Sequence, residues 1–511
     1  MVKKCLVFFL FMALLCGAFL NPAIAGKKDD NFRFGFAREV DSLDNIHVSQ
    51  VEAGMLTRVL YDTLLYTDPK TGKVSGLLAT SWKWIDENTV EFDLRKGVRF
   101  HNGEEFDADD VVATVGYVTD FKNKFRAQRS RFGWIKKAEK LDKYKVRLQS
   151  KRPFPIAEEI MSWHLIMWPN EYTAKHGHII HATKPVGTGP YKLAEAEKGK
   201  KVVLKANKDY FDGPKPNAKI GTITARFIPE IQTQVAEMLA GGLDFIQNIP
   251  EDSAKNLSLN PNIEVAHGVT PRISLLSLDV MGRSGDTPLK HLKVRQAISH
   301  AINRESIVKN LVGGISRSIN AHCHPAQFLC PEDEDVTTYP YDPAKAKRLL
   351  AEAGYAGGFS ITLLSWAGDP TLRAVGEAIQ EDLRAIGVRV KFETYPLPTW
   401  AKMLRGGKSN MSLLSFGGGS YDVHLALPRF FLGQASAYVD DKQVDDWLKQ
   451  ASNTRDNEVR RELYDKLYKR VTDQAYTVPL YANSYNFVFS KEVDFKPSRF
   501  TNMTFIGISW K

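Results

Sequence analysis

The sequence predicts an α/β protein, and three stretches carry that prediction. Residues 88–112, NTVEFDLRKGVRFHNGEEFDADDVV, combine alternating strand positions with a helix start. Residues 202–206 and 221–228 read as strands and are followed by a helical pattern over 230–240. Beyond Pro271 the alternation repeats: a strand over 273–278, helices within 291–314, a strand over 361–364, an amphipathic helix over 372–386 stopped by Gly387, and a strand over 388–392.

In the first stretch Val90, Phe92 and Leu94 alternate with polar residues, as on a half-buried strand. Lys96-Gly97 and Asn102-Gly103 supply turns on either side of the apolar run 98–100, so a β-meander is expected. Asp107 is placed to cap a helix starting near Ala108, with Asp109 and Asp110 in the first turn, where the helix dipole favours acids. Upstream, Phe32, Phe34 and Phe36 alternate on one strand face, and residues 51–65 carry a helical pattern. In KPVGTGPYKL, residues 184–193, Gly187, Gly189 and Pro190 form a tight turn entering a strand. It is not a phosphate loop, because Lys192 occupies the third glycine position and no helix pattern follows. Asn303 is placed to cap a helix ended by Gly313-Gly314, and Asp342-Pro343 opens another. After residues 445–471 the chain closes with strands over 478–481 and 486–490.

The strings over 88–112 and 184–193, together with Gly241-Gly242-Leu243-Asp244 and Ser42-Leu43-Asp44-Asn45, resemble family 5 extracytoplasmic solute-binding proteins, the receptors of ABC importers for peptides, nickel and related solutes. That family usually has proline where Asn45 stands. The resemblance implies the two-lobed periplasmic binding protein fold, with hinge strands and an extra inserted domain. Residues 26–55, 195–270 and 480–511 would form a discontinuous first lobe, 56–194 the inserted domain and 271–479 the second lobe. It implies a monomeric receptor without a cofactor, whose partners are a small peptide and the membrane permease, and not an enzyme. A receptor for nickel or a metal chelate, or for an opine or sugar, stands as the alternative.

The N-terminus agrees on the compartment. Lys3 and Lys4 precede an apolar run over 5–20, and Ala23-Ile24-Ala25 is an A-x-A cleavage site, so residues 1–25 read as a signal peptide and the mature chain starts at Gly26 in the periplasm. The run is shorter than the roughly 20 residues a membrane span needs. Leu15 before Cys16 argues against a lipoprotein site, where a small residue is usual. The formal charge of +10 is mild for 511 residues. The basic run 122–145 also contains Glu139 and Asp142 and reads as a solvated face, with no nucleic-acid motif to support another role.

Two cysteines, Cys323 and Cys330, remain in the mature chain. An oxidising periplasm favours a disulfide between them. The surrounding AHCHPAQFLCP leaves open a metal site made by both thiolates with His322 and His324.

No catalytic constellation or cofactor fingerprint is present. Ligand recognition is expected in SLLSFGGGSYDVH, residues 412–424, where an apolar strand runs into glycines and then a polar, aromatic cluster. Gly418 and Gly419 would let backbone approach a ligand closely. The resemblance places Phe416 and Asp422 where peptide-binding relatives carry a tryptophan and the aspartate that pairs with the peptide α-ammonium group. Tyr421 would pack the ligand body, and Tyr421-Asp422-x-His424 also fits the nickel-receptor pattern. The alternative for Asp422 is a cap on the next turn. Trp366, following the strand over 361–364, is either a cleft wall or a core residue. Arg373 could hold a ligand carboxylate or be an exposed helical arginine, and His176, His178 and His181 form a further cluster ahead of the glycine turn.

Overall fold

The computed structural model describes residues 26–125, 128–417, 420–433, 437–498 and 504–511. The signal segment 1–25, Arg126, Gly418 and Gly419 lie outside the described residues. Among the described residues no helix is long and apolar enough to cross a membrane.

One large sheet of eleven strands runs through the molecule. In spatial order it reads Val388–Tyr395, Phe359–Trp366, Met411–Gly417, Ile263–Leu278, Thr477–Ser490, Phe245–Gln247, Asn31–Phe36, Thr222–Phe227, Lys201–Ala206 and Tyr191–Glu197, with Arg317–Ser318 added beside Thr477–Ser490. Its centre is the antiparallel pair Ile263–Leu278 and Thr477–Ser490, 16 and 14 residues long. The strand expected to start at Ile273 begins at Ile263 and passes through Pro271.

The ladder changes register there. Val269 faces Ser484, but the next aligned pair is Ile273 with Ala482. Proline has no N–H to give a ladder, so a break is where a central strand tolerates it. On one side the pair is flanked by Phe245–Gln247, and on the other Arg272–Leu278 pairs with Met411–Gly417. The buried cores divide at the same point. Phe32, Phe34, Phe245 and Phe487 belong to one core, while Leu275, Leu414 and Tyr464, and separately Leu276, Ile298 and Val375, pack beyond the break. Two lobes with separate cores, joined by two continuous strands, follow.

A second, four-stranded antiparallel sheet, in the order Ala79–Trp84, Thr89–Leu94, Lys145–Ser150 and Ile135–Asp142, is built into the first lobe's side of the chain. The helix Ala108–Thr119 packs on it and starts as its sequence dictates: Asp107 Oδ1 accepts from the Asp109 amide at 2.8 Å, and Asp110 Oδ2 accepts from the Asp107 amide at 2.9 Å. The expected meander is not formed. Val98 and Phe100 are buried, yet they sit in a turn closed by the Phe100 amide on the Glu104 carbonyl at 2.8 Å, with only an isolated bridge between Arg99 and Glu105, and Thr89–Leu94 takes Lys145–Ser150 as its second partner. Apolar side chains filling the core do not require their backbone to join a sheet. The strand Tyr191–Glu197 begins within residues 56–194 but pairs with Lys201–Ala206 in the large sheet. The turn before it passes so close to the helix Val51–Leu60 that a Cβ at Gly187 or Gly189 would run into the Leu60 or Val59 carbonyl.

Candidate ligand site at the lobe seam

The strand Met411–Gly417 delivers the recognition loop to the hinge. Gly417 pairs with Arg272 at φ 127°, and a side chain there would strike the Pro271 carbonyl, so glycine is required where the loop departs. The loop is held from behind by the segment 322–330. Phe328 donates its amide to the Tyr421 carbonyl at 2.6 Å and accepts from the Val423 amide at 3.3 Å, and Gln327 Nε2 donates to the Ser420 carbonyl at 3.2 Å. The Sγ atoms of Cys323 and Cys330 are bonded to each other and clip this segment. With both thiolates consumed, the four-ligand metal arrangement with His322 and His324 is not available. Burial holds His322 down to about 3 and His324 to about 4, and His322 packs edge-on against Phe430.

Asp422 already has a cationic partner within the protein. Oδ1 accepts from Arg460 Nη2 at 2.6 Å and from the His424 amide at 2.9 Å, so the residue is both half of an ion pair and the cap of the turn Val423–Leu425. An isolated buried carboxylate is costly, and Arg460, itself 1% exposed, removes that cost from within the protein. His424 is buried with Nδ1 3.1 Å from the Tyr464 hydroxyl; burial, then Arg460 and Arg152, hold it near 3, so the ring is neutral and one nitrogen is committed.

The other side of the seam comes from the helix Ala157–Trp163. Glu159 Oε1 accepts from the Tyr421 amide at 2.9 Å, and Oε2 accepts from the Ser420 hydroxyl at 3.2 Å. The surrounding protein, and then the Asp422 charge, push Glu159 up to about 8 against these hydrogen bonds. No lysine, arginine or histidine among the described residues is bonded to it. The Trp163 ring lies 5.8 Å from the Tyr421 ring and carries the Arg58 guanidinium 3.5 Å above its face. Further contacts complete the seam: Arg152 Nη1 donates to the Ser452 carbonyl at 2.6 Å, Arg455 stacks 3.4 Å over Trp84, and Phe154 meets His424 at 5.6 Å.

Of the residues picked out in the sequence, Tyr421, Asp422 and His424 share this seam. Phe416 lies just upstream, half-buried between Phe430 at 5.2 Å and Arg429 at 4.8 Å. Trp366 ends the strand Phe359–Trp366 and packs, half-buried, against both second-lobe cores. Arg373 is exposed and bonds Glu377 one turn along its helix at 3.2 Å. His181 stacks on Trp168 and bonds Thr173 at 2.9 Å, while His178 stacks on Tyr117. Among the described residues no three His, Cys, Asp or Glu side chains are grouped to hold a metal. Sequence reasoning missed Glu159, Trp163, Arg58 and Arg460, for which only the bare residue types were a signal.

The family described as bacterial extracellular solute-binding proteins, family 5 Middle, matches residues 73–438. The chain belongs to the family 5 solute-binding proteins. It is 27% identical over 466 residues to the oligopeptide-binding protein AppA of Bacillus subtilis, covering 84% of this chain and 82% of that one. Among solved structures it is similar to the periplasmic binding protein DppA of Helicobacter pylori in complex with the peptide STSA, with TM-score 0.81 and 24% identity over 96% of this chain and 99% of that one. It is likewise similar to NikA of Brucella suis in complex with Fe(III)-EDTA, with TM-score 0.84 and 23% identity over 94% and 100%. The fold is therefore the two-lobed α/β periplasmic binding protein fold of this family.

Proposed function

We propose that this protein is the periplasmic receptor of an ABC importer, that it is exported as a monomer by cleavage after Ala25, and that it captures small peptides by closing its lobes and hands them to the membrane permease. Its work is binding, and no bond of the ligand is broken. The observation that carries the peptide reading is the charge at the seam: Glu159 and Asp422 lie together, and among the described residues the one cation bonded to either is Arg460 on Asp422. A ligand ammonium entering between the lobes supplies the missing positive charge at Glu159, with Asp422 behind it. Charge-assisted bonds of this kind are stronger than neutral ones and are lost by an analogue without the ammonium. The kinship with an oligopeptide-binding protein supports the same ligand class. Closure is supported by the hinge, where two strands with a register break join separately cored lobes.

Native mass spectrometry of protein taken from the periplasm, before and after mild unfolding, tests the reading. A released peptide mass is expected; a metal-chelate or sugar mass would replace it with one of the alternative ligands.

A further inference from the structure

We infer that Arg58 is the seat of a ligand carboxylate, an inference that rests on the peptide reading and adds the second end of the ligand to it. Arg58 lies near the end of the helix Val51–Leu60, its guanidinium flat on Trp163. It makes no hydrogen bond or ion pair with any described residue, and its Nε is buried without an acceptor. The neighbouring cation, Lys215, is buried and bonded to Asp62 Oδ1 at 2.6 Å and the Tyr61 carbonyl at 2.9 Å. Asp62 is engaged at both oxygens, also taking the Tyr210 hydroxyl on Oδ1 at 3.1 Å and the Thr188 hydroxyl on Oδ2 at 2.8 Å. Lys215 thus has its carboxylate, and Arg58 is left without one among the described residues. Stacking on an indole offsets part of the cost of desolvating a guanidinium but does not satisfy its donors.

The space beside it has the right size and lining for one chemical group. Arg58, Tyr66, Ser162 and Lys215 line a cavity of about 30 Å³ together with the apolar Leu77 and Ile166. A water needs roughly 10–15 Å³ on this measure, so there is room for about two water-sized atoms, as the two oxygens of a carboxylate require. The planar fork of arginine matches those two oxygens. Tyr421 donates its amide to Glu159 and sets its ring 5.8 Å from Trp163, on which Arg58 stacks, so a short chain with its ammonium at Glu159 and its carboxylate at Arg58 would lie along the Tyr421 ring.

The test compares tri-alanine with its C-terminal amide by calorimetry on the wild type and on Arg58→Met. Wild type should lose roughly thirtyfold or more in affinity on amidation, as when a desolvated charge pair is broken from one side, and the variant should bind both forms equally weakly. Unchanged binding of tri-alanine by Arg58→Met, or undiminished preference for the free acid, would overturn the inference. If tri-alanine does not bind the wild type, the peptide reading fails, and sodium formate then decides on Arg58. A saturable rise in the thermal midpoint of wild type that is absent in Arg58→Met supports a carboxylate seat, and an equal rise in both, or none in wild type, refutes it. Should Arg58→Met fail to fold, Arg58→Lys, which keeps the charge but loses the fork, takes its place. Reduced discrimination between acid and amide is then expected, and full discrimination contradicts the inference.

Discussion

Arg460 and Asp422 form an ion pair at 2.6 Å across 38 residues of sequence, with the guanidinium 1% and the carboxylate 8% exposed. The pair ties the recognition loop to the helix Asn457–Asp473, so the loop's shape depends on it. Removing one partner of a buried pair leaves the other uncompensated, typically at about 3–5 kcal/mol. Asp422→Asn and Arg460→Met should each lower the denaturant midpoint by a loss of that order. The double variant should lose less than the sum of the two. Full stability in Asp422→Asn would mean that the carboxylate is not a structural anchor.

Glu159 gives closure a pH dependence. In the seam its carboxyl is raised from 4.5 to about 8, first by burial and then by Asp422; separating the lobes would rehydrate it and return it toward its ordinary value. A closed form with the raised pKa binds the proton more tightly, so closure is least opposed below about 4.5 and is increasingly disfavoured as pH rises through about 8. Spin labels on Ile179→Cys and Tyr341→Cys, both exposed and on opposite sides of the hinge, should report shorter interlobe distances near about pH 5 than near about pH 9 in ligand-free protein. Glu159→Gln should flatten the difference. A pH dependence that survives this substitution would assign it to another group.

How much of this was legible in the sequence follows from the range of each interaction. The helix Ala108–Thr119 was readable because Asp107, Asp110 and the apolar positions that define it lie within one local stretch. The strand through the hinge was read as starting at Ile273 rather than Ile263, since proline argues against a central strand and the register break that accommodates Pro271 is set by the distant partner strand. Asp422 was recognisable as either a cap or a ligand contact. Its partner Arg460 was not, because a charged residue in an amphipathic helix ordinarily faces water. Glu159 carried no local mark either: acids in the first turn of a helix are favoured by the dipole whatever lies opposite.

The disulfide should act on the loop it supports. Cys323 and Cys330 enclose a short loop, and losing such a closure costs about 2–3 kcal/mol in the chain-entropy account. Because Phe328 within that loop holds both the Tyr421 carbonyl and the Val423 amide, the double variant Cys323→Ser/Cys330→Ser should lose ligand affinity as well as stability. Hydrogen exchange at Val423 and Phe328 should quicken relative to the core strand Met411–Gly417. Unaltered exchange at both amides would show that the loop holds its shape without the clip.

The central claim, that two lobes close around a small peptide, is tested most directly by small-angle X-ray scattering of the protein with and without saturating tri-alanine, occupancy being verified by calorimetry on the same samples. The hinge at Val269 and Ile273 predicts a smaller radius of gyration in the bound state. An unchanged radius at verified saturation would contradict it.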